Sequence, residues 1–429
     1  MAKKTKAINR EYIILGGGIA GMAAAEAIRE REQEAGIFMI STEKEFCFNR
    51  PMLIEEFALD GSGSELFDKQ QGWAEQTGVE TMLGVSAKSI DLGEKTISLS
   101  DGSEAVYDKL IYALGARVFI PQIPGADRDN VFAIRSRDDM RRIRNAMREA
   151  RDAVVIGGGM LGLEDAWGLC KENIRVTILE KMDRLAYSQI DNSAGNLMKK
   201  RIERTGTRVF TGADVLEIGD GWVEFKDKDN PEPQRADADM VIISAGVTPN
   251  SAVGRNAGLK TCGPEDKWIT VDAAMRTSDP FVYAAGDVAA LNGNNAAIWD
   301  EAREMGKVAG TNAAGGTAEY EPVVPEHVFN GFDTEVFTMA DSSGAGTDGV
   351  YIRHADVEIF DYQRERYIRV SLQDCVVAGI LLINAPELMP ELMEAYRTRA
   401  DENEVRNIIQ RWKDSHDVNF KPAKPFRKR

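Results

Sequence analysis

Apolar residues in this chain fall into short continuous runs and helically spaced segments, and the two kinds follow one another in a repeated order. The run YIIL (12–15) leads through GGGIAGM into an Ala-rich segment that reaches about residue 31, after which residues 37–40 are again apolar. Short apolar runs bounded by turn residues read as buried strands and the alanine-rich segment as a helix, which predicts a strand-helix-strand unit. The same order returns with AVVI from Ala153, GGGMLGL, a helical segment to about Lys171, and RVTILE ending at Glu180. The turns begin at Gly16 and Gly157, an offset of 141 residues (157 − 16), so one unit occurs twice in degenerate form.

Between the units, residues 106–125 (VYDKLIYALGARVFIPQIPG) read as a buried strand, a Gly turn and a Pro-rich exit, the punctuation of a crossing between domains. MVIISAGVTPN (240–250) repeats that punctuation. PFVYAAGDVAAL (280–291) reads as a further short buried strand ending in a turn, with a helical pattern after it over about 299–312. From about Glu319 the texture changes to short alternating runs, as in VEIFDYQRERYIRVSLQDCVVAGILLIN, which predict antiparallel strands. Two amphipathic helices near 387–397 and 402–412 follow, which gives a separate α+β domain of about 110 residues.

Composition narrows the class. At 429 residues the chain exceeds the ~250–300 that one core supports, so two to four domains are expected. With 43% hydrophobic residues and 39 glycines it reads as a folded α/β protein with many tight turns. The balance of 53 basic against 69 acidic residues, a net of −16, argues against nucleic acid as a partner. The exception is the terminal cluster Lys421, Lys424, Arg427, Lys428 and Arg429, either a solvated tail or a dock for an acidic partner.

Cys47, Cys170, Cys262 and Cys375 lie far apart, without the spacing of a disulfide scaffold or metal site. His327, His354 and His416 are equally scattered. The N-terminal segment lacks the apolar stretch of a signal peptide, and no run approaches the ~18 residues that span a bilayer. A cytoplasmic protein with no membrane association is the expectation.

The chemistry concentrates in the repeated turns. Gly16, Gly18 and Gly21 stand in GxGxxG spacing: the first permits a tight turn, the second lets backbone approach a pyrophosphate, and the third lets helix and strand pack closely. The helix start, with Ile19 and Ala20, then offers unpaired N–H groups and roughly half a positive charge to a diphosphate. An acid after the second strand would hold ribose hydroxyls. Ser41 ends that strand, which leaves Glu43 as the candidate, with a solvated loop in TEKE as the alternative.

The second turn has Gly157, Gly159 and Gly162 around Met160 and Leu161, and here Glu180 ends the strand. A carboxylate there accepts from an adenosine ribose and repels a 2′-phosphate, which favours NADH over NADPH; Lys181 and Arg184 are cations close enough to oppose that preference. Gly286 and Asp287 in AAGD form a third signal, since an acid at a strand end can meet a polyol hydroxyl or simply cap a helix.

GGGIAG, ALGA (113–116), GGGMLGLE, SAGVTPN and AAGD, in this order over about residues 10–320, resemble the FAD- and NAD(P)-dependent pyridine nucleotide-disulfide oxidoreductase superfamily. FCFNRPML (46–53) is similar to the flavin-lining stretch of members without a redox disulfide: rubredoxin and ferredoxin reductases and the flavin half of nitrite reductases. The resemblance implies two Rossmann-like domains, one for FAD in two parts (1–117 and 249–318), one for NAD inserted between them (118–248), and a C-terminal interface domain (319–429).

It also implies an NAD(P)H-dependent flavoprotein oxidoreductase. FAD would be held by the first turn, Arg50, Pro51, Ala113, Gly115, Gly286, Asp287 and the helix beginning at Trp299. NADH, more than NADPH, would be held by the second turn, Glu180 and Gly246, with Glu164 beside the nicotinamide. Leu114, Thr248 and Glu55 depart from the pattern; Glu55 stands where many relatives place a flavin-facing Lys, and there it would lower the flavin potential. Electrons would pass to an external acceptor such as rubredoxin or ferredoxin. One alternative uses Cys47 as the single cysteine of an NADH oxidase, NADH peroxidase or coenzyme A-disulfide reductase; another is an FAD-holding electron-transfer subunit of a larger complex. A homodimer through the C-terminal domain is a further implication.

Overall fold

The computed structural model describes residues 7–45, 49–57, 72–340 and 355–415, and in it the strand-helix-strand unit occurs twice. In the first, strand Ala7–Leu15 passes through the glycine turn into helix Ile19–Arg31 and returns as strand Ile37–Ser41. These strands lie parallel, with Glu80–Leu83 beyond Ile37–Ser41 and Glu104–Tyr112 on the other side of Ala7–Leu15. The first strand is longer than the apolar run 12–15 because it pairs with Glu104–Tyr112 along its whole length, from Ala7 opposite Glu104 to Leu15 opposite Tyr112. Backbone pairing there overrides the polar Asn9, Arg10 and Glu11.

Glu104–Tyr112 divides its other edge. Its first half takes antiparallel Thr96–Leu99, and its second half takes parallel Val282–Ala284, which brings residues 282–287 back beside the first turn. Helix Trp299–Ala313 then packs against helix Ile19–Arg31 almost backbone to backbone. A Cβ added at Gly306 or Gly310 would collide with the carbonyl oxygens of Ala20 and Ala24. The small residues of both helices are what allow this close approach, with Gly306 against Ala20 and Gly310 against Ala24.

The second unit is a parallel sheet in the order Arg208–Thr211, Arg175–Glu180, Asp152–Ile156, Met240–Ile243, Val131–Phe132. One face is covered by helices Arg137–Met147, Met160–Lys171 and Asn192–Arg204, the other by the antiparallel strands Asp214–Ile218, Gly221–Lys226 and Gln234–Ala238. Burial on both faces explains the unbroken apolar runs. The chain enters and leaves through Ala116–Val118 and Val247–Pro249, which pair antiparallel, so both crossings lie side by side.

The C-terminal unit is an antiparallel sheet in the order Glu326–Gly331, Thr334–Ala340, Val376–Ile383, Arg366–Gln373, Ala355–Asp361. Helices Met389–Arg397 and Glu402–Ser415 bury Leu392, Val405, Ile409 and Trp412 on one face of it. The opposite face, with Phe329, Val336, Tyr367 and Leu381, packs with Phe57 and the helices of the second unit. Ion pairs fasten the join: Arg369 to Asp191 at 2.9 Å and Arg201 to Glu365 at 2.6 Å, all with side chains at most one-fifth exposed. No helix among the described residues is long and apolar enough to cross a membrane.

Candidate functional site

The two glycine turns are built alike. Gly16 and Gly157 have φ of +116° and +114°, and each donates its N–H to the carbonyl one residue before the end of the second strand, Ile40 and Leu179. A Cβ on Gly16 would collide with the Ala113 carbonyl oxygen, and one on Gly157 with that of Ser244. A Cβ on Gly21 or Gly162 would strike the carbonyl oxygen of the first glycine of its own turn.

The middle glycines differ. Around Gly18 and Gly159 an added Cβ would meet nothing within 4 Å, and both are helix N-caps without a side-chain cap. Neither helix has an acid in its first turn. Each turn thus presents open space beneath uncapped N–H groups, the two features a diphosphate requires.

Both turns face one cavity of about 1790 Å³. It contains every described glycine-turn residue named above except Gly21, together with Glu43, Arg50, Pro51, Ala113, Gly115, Glu164, Glu180, Gly246, Gly286, Asp287 and Trp299. Gly21 lies behind the wall, where it lets the helix close on Gly16.

The strand ends differ between the units. Glu180 is only 8% exposed, and its carboxylate accepts from the N–H groups of Gly158 at 2.5 Å and Met182 at 2.6 Å, so it is held rigid at the rim. By the turn hydrogen bonds its counterpart in the first unit is Ser41, whose Oγ accepts from Glu43 N–H at 3.2 Å. Glu43 stands two residues farther on and pairs with Arg50 at 3.0 Å inside the cavity, not as a freely solvated loop residue.

Arg184, which the sequence placed as a rival for a 2′-phosphate, is turned inward. Its guanidinium donates to the carbonyls of Ile190 (2.9 Å) and Tyr187 (3.1 Å) and to Asn192 Oδ1 (3.3 Å), stacks 4.0 Å from the Tyr187 ring and is 13% exposed. Exposed Lys181 remains the cation at the rim beside Glu180.

Asp287 does not cap a helix; it pairs with Arg135 at 2.8 Å. Arg50 in turn donates to the Arg135 carbonyl, which joins Glu43, Arg50, Arg135 and Asp287 into one charged cluster. Burial and the nearby Arg50 lower the Arg135 guanidinium from its ordinary value, while Asp287 opposes the shift. Sequence spacing gave no sign of Arg135, because 152 positions separate it from Asp287.

Glu164 is half-buried and lines the cavity, and Asp165 behind it is buried. Burial pushes the Asp165 carboxyl up to about 8; the Glu164 charge adds to this and a hydrogen bond with Ser244 opposes it. Asp165 was detectable in principle, since it falls with Gly162, Ala166 and Leu169 on the buried i, i+3, i+4, i+7 face of its helix. His327 also lines the cavity, with its imidazole lowered by burial. Cys47, His354, His416 and the basic tail lie outside the described residues, as does the Glu55 side chain, whose backbone belongs to the 3-10 stretch Arg50–Phe57.

A family model described as pyridine nucleotide-disulphide oxidoreductase matches residues 10–306. Among curated proteins the chain is 29% identical to the NADH-rubredoxin oxidoreductase of Clostridium acetobutylicum, over 90% of this chain and 94% of that one. It is 28% identical to the nitrite reductase [NAD(P)H] of Bacillus subtilis, over 93% of this chain but only 48% of the longer enzyme. Among solved structures, an NAD-dependent persulfide reductase from A. fulgidus superposes with a TM-score of 0.83 at 26% identity, over 93% of this chain and 79% of that one.

Proposed function

The chain belongs to the pyridine nucleotide-disulphide oxidoreductase family, and from that premise we propose that it is an NADH-dependent flavoprotein reductase that passes electrons to a small external redox protein of the rubredoxin or ferredoxin kind. The observation that carries the reading is the pair of equivalent glycine turns, each with open space under an uncapped helix, facing one cavity. In this reading residues 1–117 and 249–318 hold FAD, residues 118–248 hold the nicotinamide dinucleotide, and residues 319–429 form the interface unit.

When bound, nicotinamide supplies a hydride and the flavin accepts it; the protein supplies position and field. The N–H groups after Gly18 and Gly159 receive the two diphosphates. Arg50 and Arg135 balance negative charge on the FAD side, and Asp287, oriented by Arg135, accepts from a polyol hydroxyl. Glu180, fixed by two N–H groups, accepts from ribose and repels a 2′-phosphate. Glu164, in helix Met160–Lys171, lines the cavity and orients the nicotinamide.

Anaerobic titration of the purified yellow protein with NADH and NADPH tests the reading, followed by reoxidation with rubredoxin, ferredoxin, dioxygen, peroxide and nitrite. Bleaching by NADH and rapid return of colour with one of the two redox proteins are expected. A flavin that NADH leaves oxidised refutes the reading and favours a passive FAD-holding subunit. Likeness to the persulfide reductase favours a second reading, a thiol reaction at Cys47; loss of turnover with every acceptor in Cys47→Ser, with FAD retained, would establish it. The exposed Tyr362 beside edge strand Ala355–Asp361 offers a surface for a second copy of the chain.

A further inference from the structure

Glu301 is a buried carboxyl with no part in the chemistry above. It is the third residue of helix Trp299–Ala313 and is 7% exposed. Its Oε2 accepts from the Ala296 N–H at 2.7 Å, and its Oε1 accepts from the Tyr320 hydroxyl at 3.2 Å. Tyr320 is 5% exposed; its hydroxyl also receives the Val323 N–H at 3.4 Å, and its own N–H donates to the Ala273 carbonyl at 2.7 Å. Glu301 does not itself line the cavity. The residues it holds do: Ala296, Ala297, Ile298 and Trp299 form one wall, and Val323 and Val324 lie on the next.

The turn it holds is strained. Ala297 has φ of +52°, a left-handed conformation that is strained for an L-residue and persists only where the surroundings over-determine it. Asn295 supplies part of that determination, donating to the carbonyls of Gly286 at 3.1 Å and Ala289 at 2.6 Å and accepting from the Ala297 N–H at 2.8 Å. Glu301 supplies the rest from the helix side. Ile298, the N-cap, contributes no side-chain cap of its own. Burial raises the Glu301 carboxyl above the usual range, and the Ala296 N–H and Tyr320 hydroxyl draw it back down, so the group is invested in these two contacts.

We propose that Glu301 is a positioning residue for the flavin: with Tyr320 it clamps the strained turn 295–298 so that the helix N-terminus and Trp299 stay open to the cofactor, and it ties that wall to the entrance of the C-terminal sheet. The inference rests on the FAD reading above. Because Glu301 acts through Ala296 and Tyr320, its loss weakens FAD binding itself.

The test is the affinity of the full-length apoprotein for FAD, followed by flavin fluorescence quenching, in the wild type, Glu301→Ala, Glu301→Gln and Tyr320→Phe. Loss of the acceptor that anchors the Ala296 N–H in Glu301→Ala is expected to raise the FAD Kd about tenfold. Tyr320→Phe keeps the fold-bearing ring and is expected to weaken FAD severalfold, while Glu301→Gln, which retains an acceptor for Ala296 and a partner for Tyr320, stays within about twofold of wild type. Wild-type Kd values in both Glu301→Ala and Tyr320→Phe overturn the proposal, as does a Gln variant as weak as the Ala variant. A wild-type chain that binds no FAD refutes the underlying reading instead, and that result is distinct from the other two.

Discussion

Replacing Glu180 with Gln removes one charge from the rim of the second turn and changes little else in shape. The carboxylate is 8% exposed and pinned by two N–H groups, so it cannot swing away from an approaching 2′-phosphate. A unit charge about 4 Å away meets a repulsion of about 4 kcal/mol at an effective dielectric near 20, which is close to three decades in relative kcat/KM. Solvent at the open rim and the neighbouring Lys181 screen part of this, so the NADPH-to-NADH ratio of kcat/KM should rise about 100-fold.

The Gln carbonyl oxygen replaces two carboxylate oxygens, so one of the Gly158 and Met182 N–H groups loses its acceptor, at a cost of about 1–3 kcal/mol in folding stability that bears on both coenzymes alike and leaves the ratio to the charge. The assay is stopped-flow flavin reduction with each coenzyme under anaerobic conditions. Arg184→Ala serves as the control, because an inward-turned guanidinium should leave the ratio unchanged. A ratio within twofold of wild type for Glu180→Gln, or a large shift for Arg184→Ala, would refute the reasoning.

Gly157→Ala should abolish NADH-dependent flavin reduction while FAD content stays normal, since the Cβ would meet the Ser244 carbonyl oxygen at a φ of +114°; an unchanged KM for NADH speaks against it. Asp165 keeps its proton in the folded chain up to about pH 8, whereas an unfolded aspartate loses it near ~3.9. The folded state therefore binds the extra proton between those values, so stability falls as pH rises through that window, by at most about 1.4 kcal/mol per unit. Asp165→Asn should remove this slope, read as a gap between variant and wild-type unfolding free energies that widens in the variant's favour from pH 5 to pH 8. Arg369→Met leaves Asp191 and Asp356 without their shared cation and should cost about 3–5 kcal/mol in urea unfolding, with a loss under 1 kcal/mol counting against a structural role for the network.

The sequence by itself determined the repeated unit, the position of the glycines that shape its two turns and the change to an antiparallel C-terminal unit. These are local properties. A φ near +115° or a helix running into a carbonyl allows no residue but glycine at Gly16, Gly157, Gly21 and Gly162, and double-faced burial leaves an unbroken apolar run such as AVVI.

What only the tertiary structure decided is how distant charges meet. Arg135 reaches Asp287 across 152 positions, and even the nearer partners, Glu43 with Arg50 and Arg184 with Tyr187, meet only because the folded loops turn those side chains toward each other in partly buried space, where a charge must pair. Nor did the spacing of residues reveal Glu301, since its partners lie in the turn before its own helix and in a tyrosine 19 positions later. Glycines record constraints carried by the backbone at their own position, whereas a charged side chain takes its role from whatever the fold sets against it.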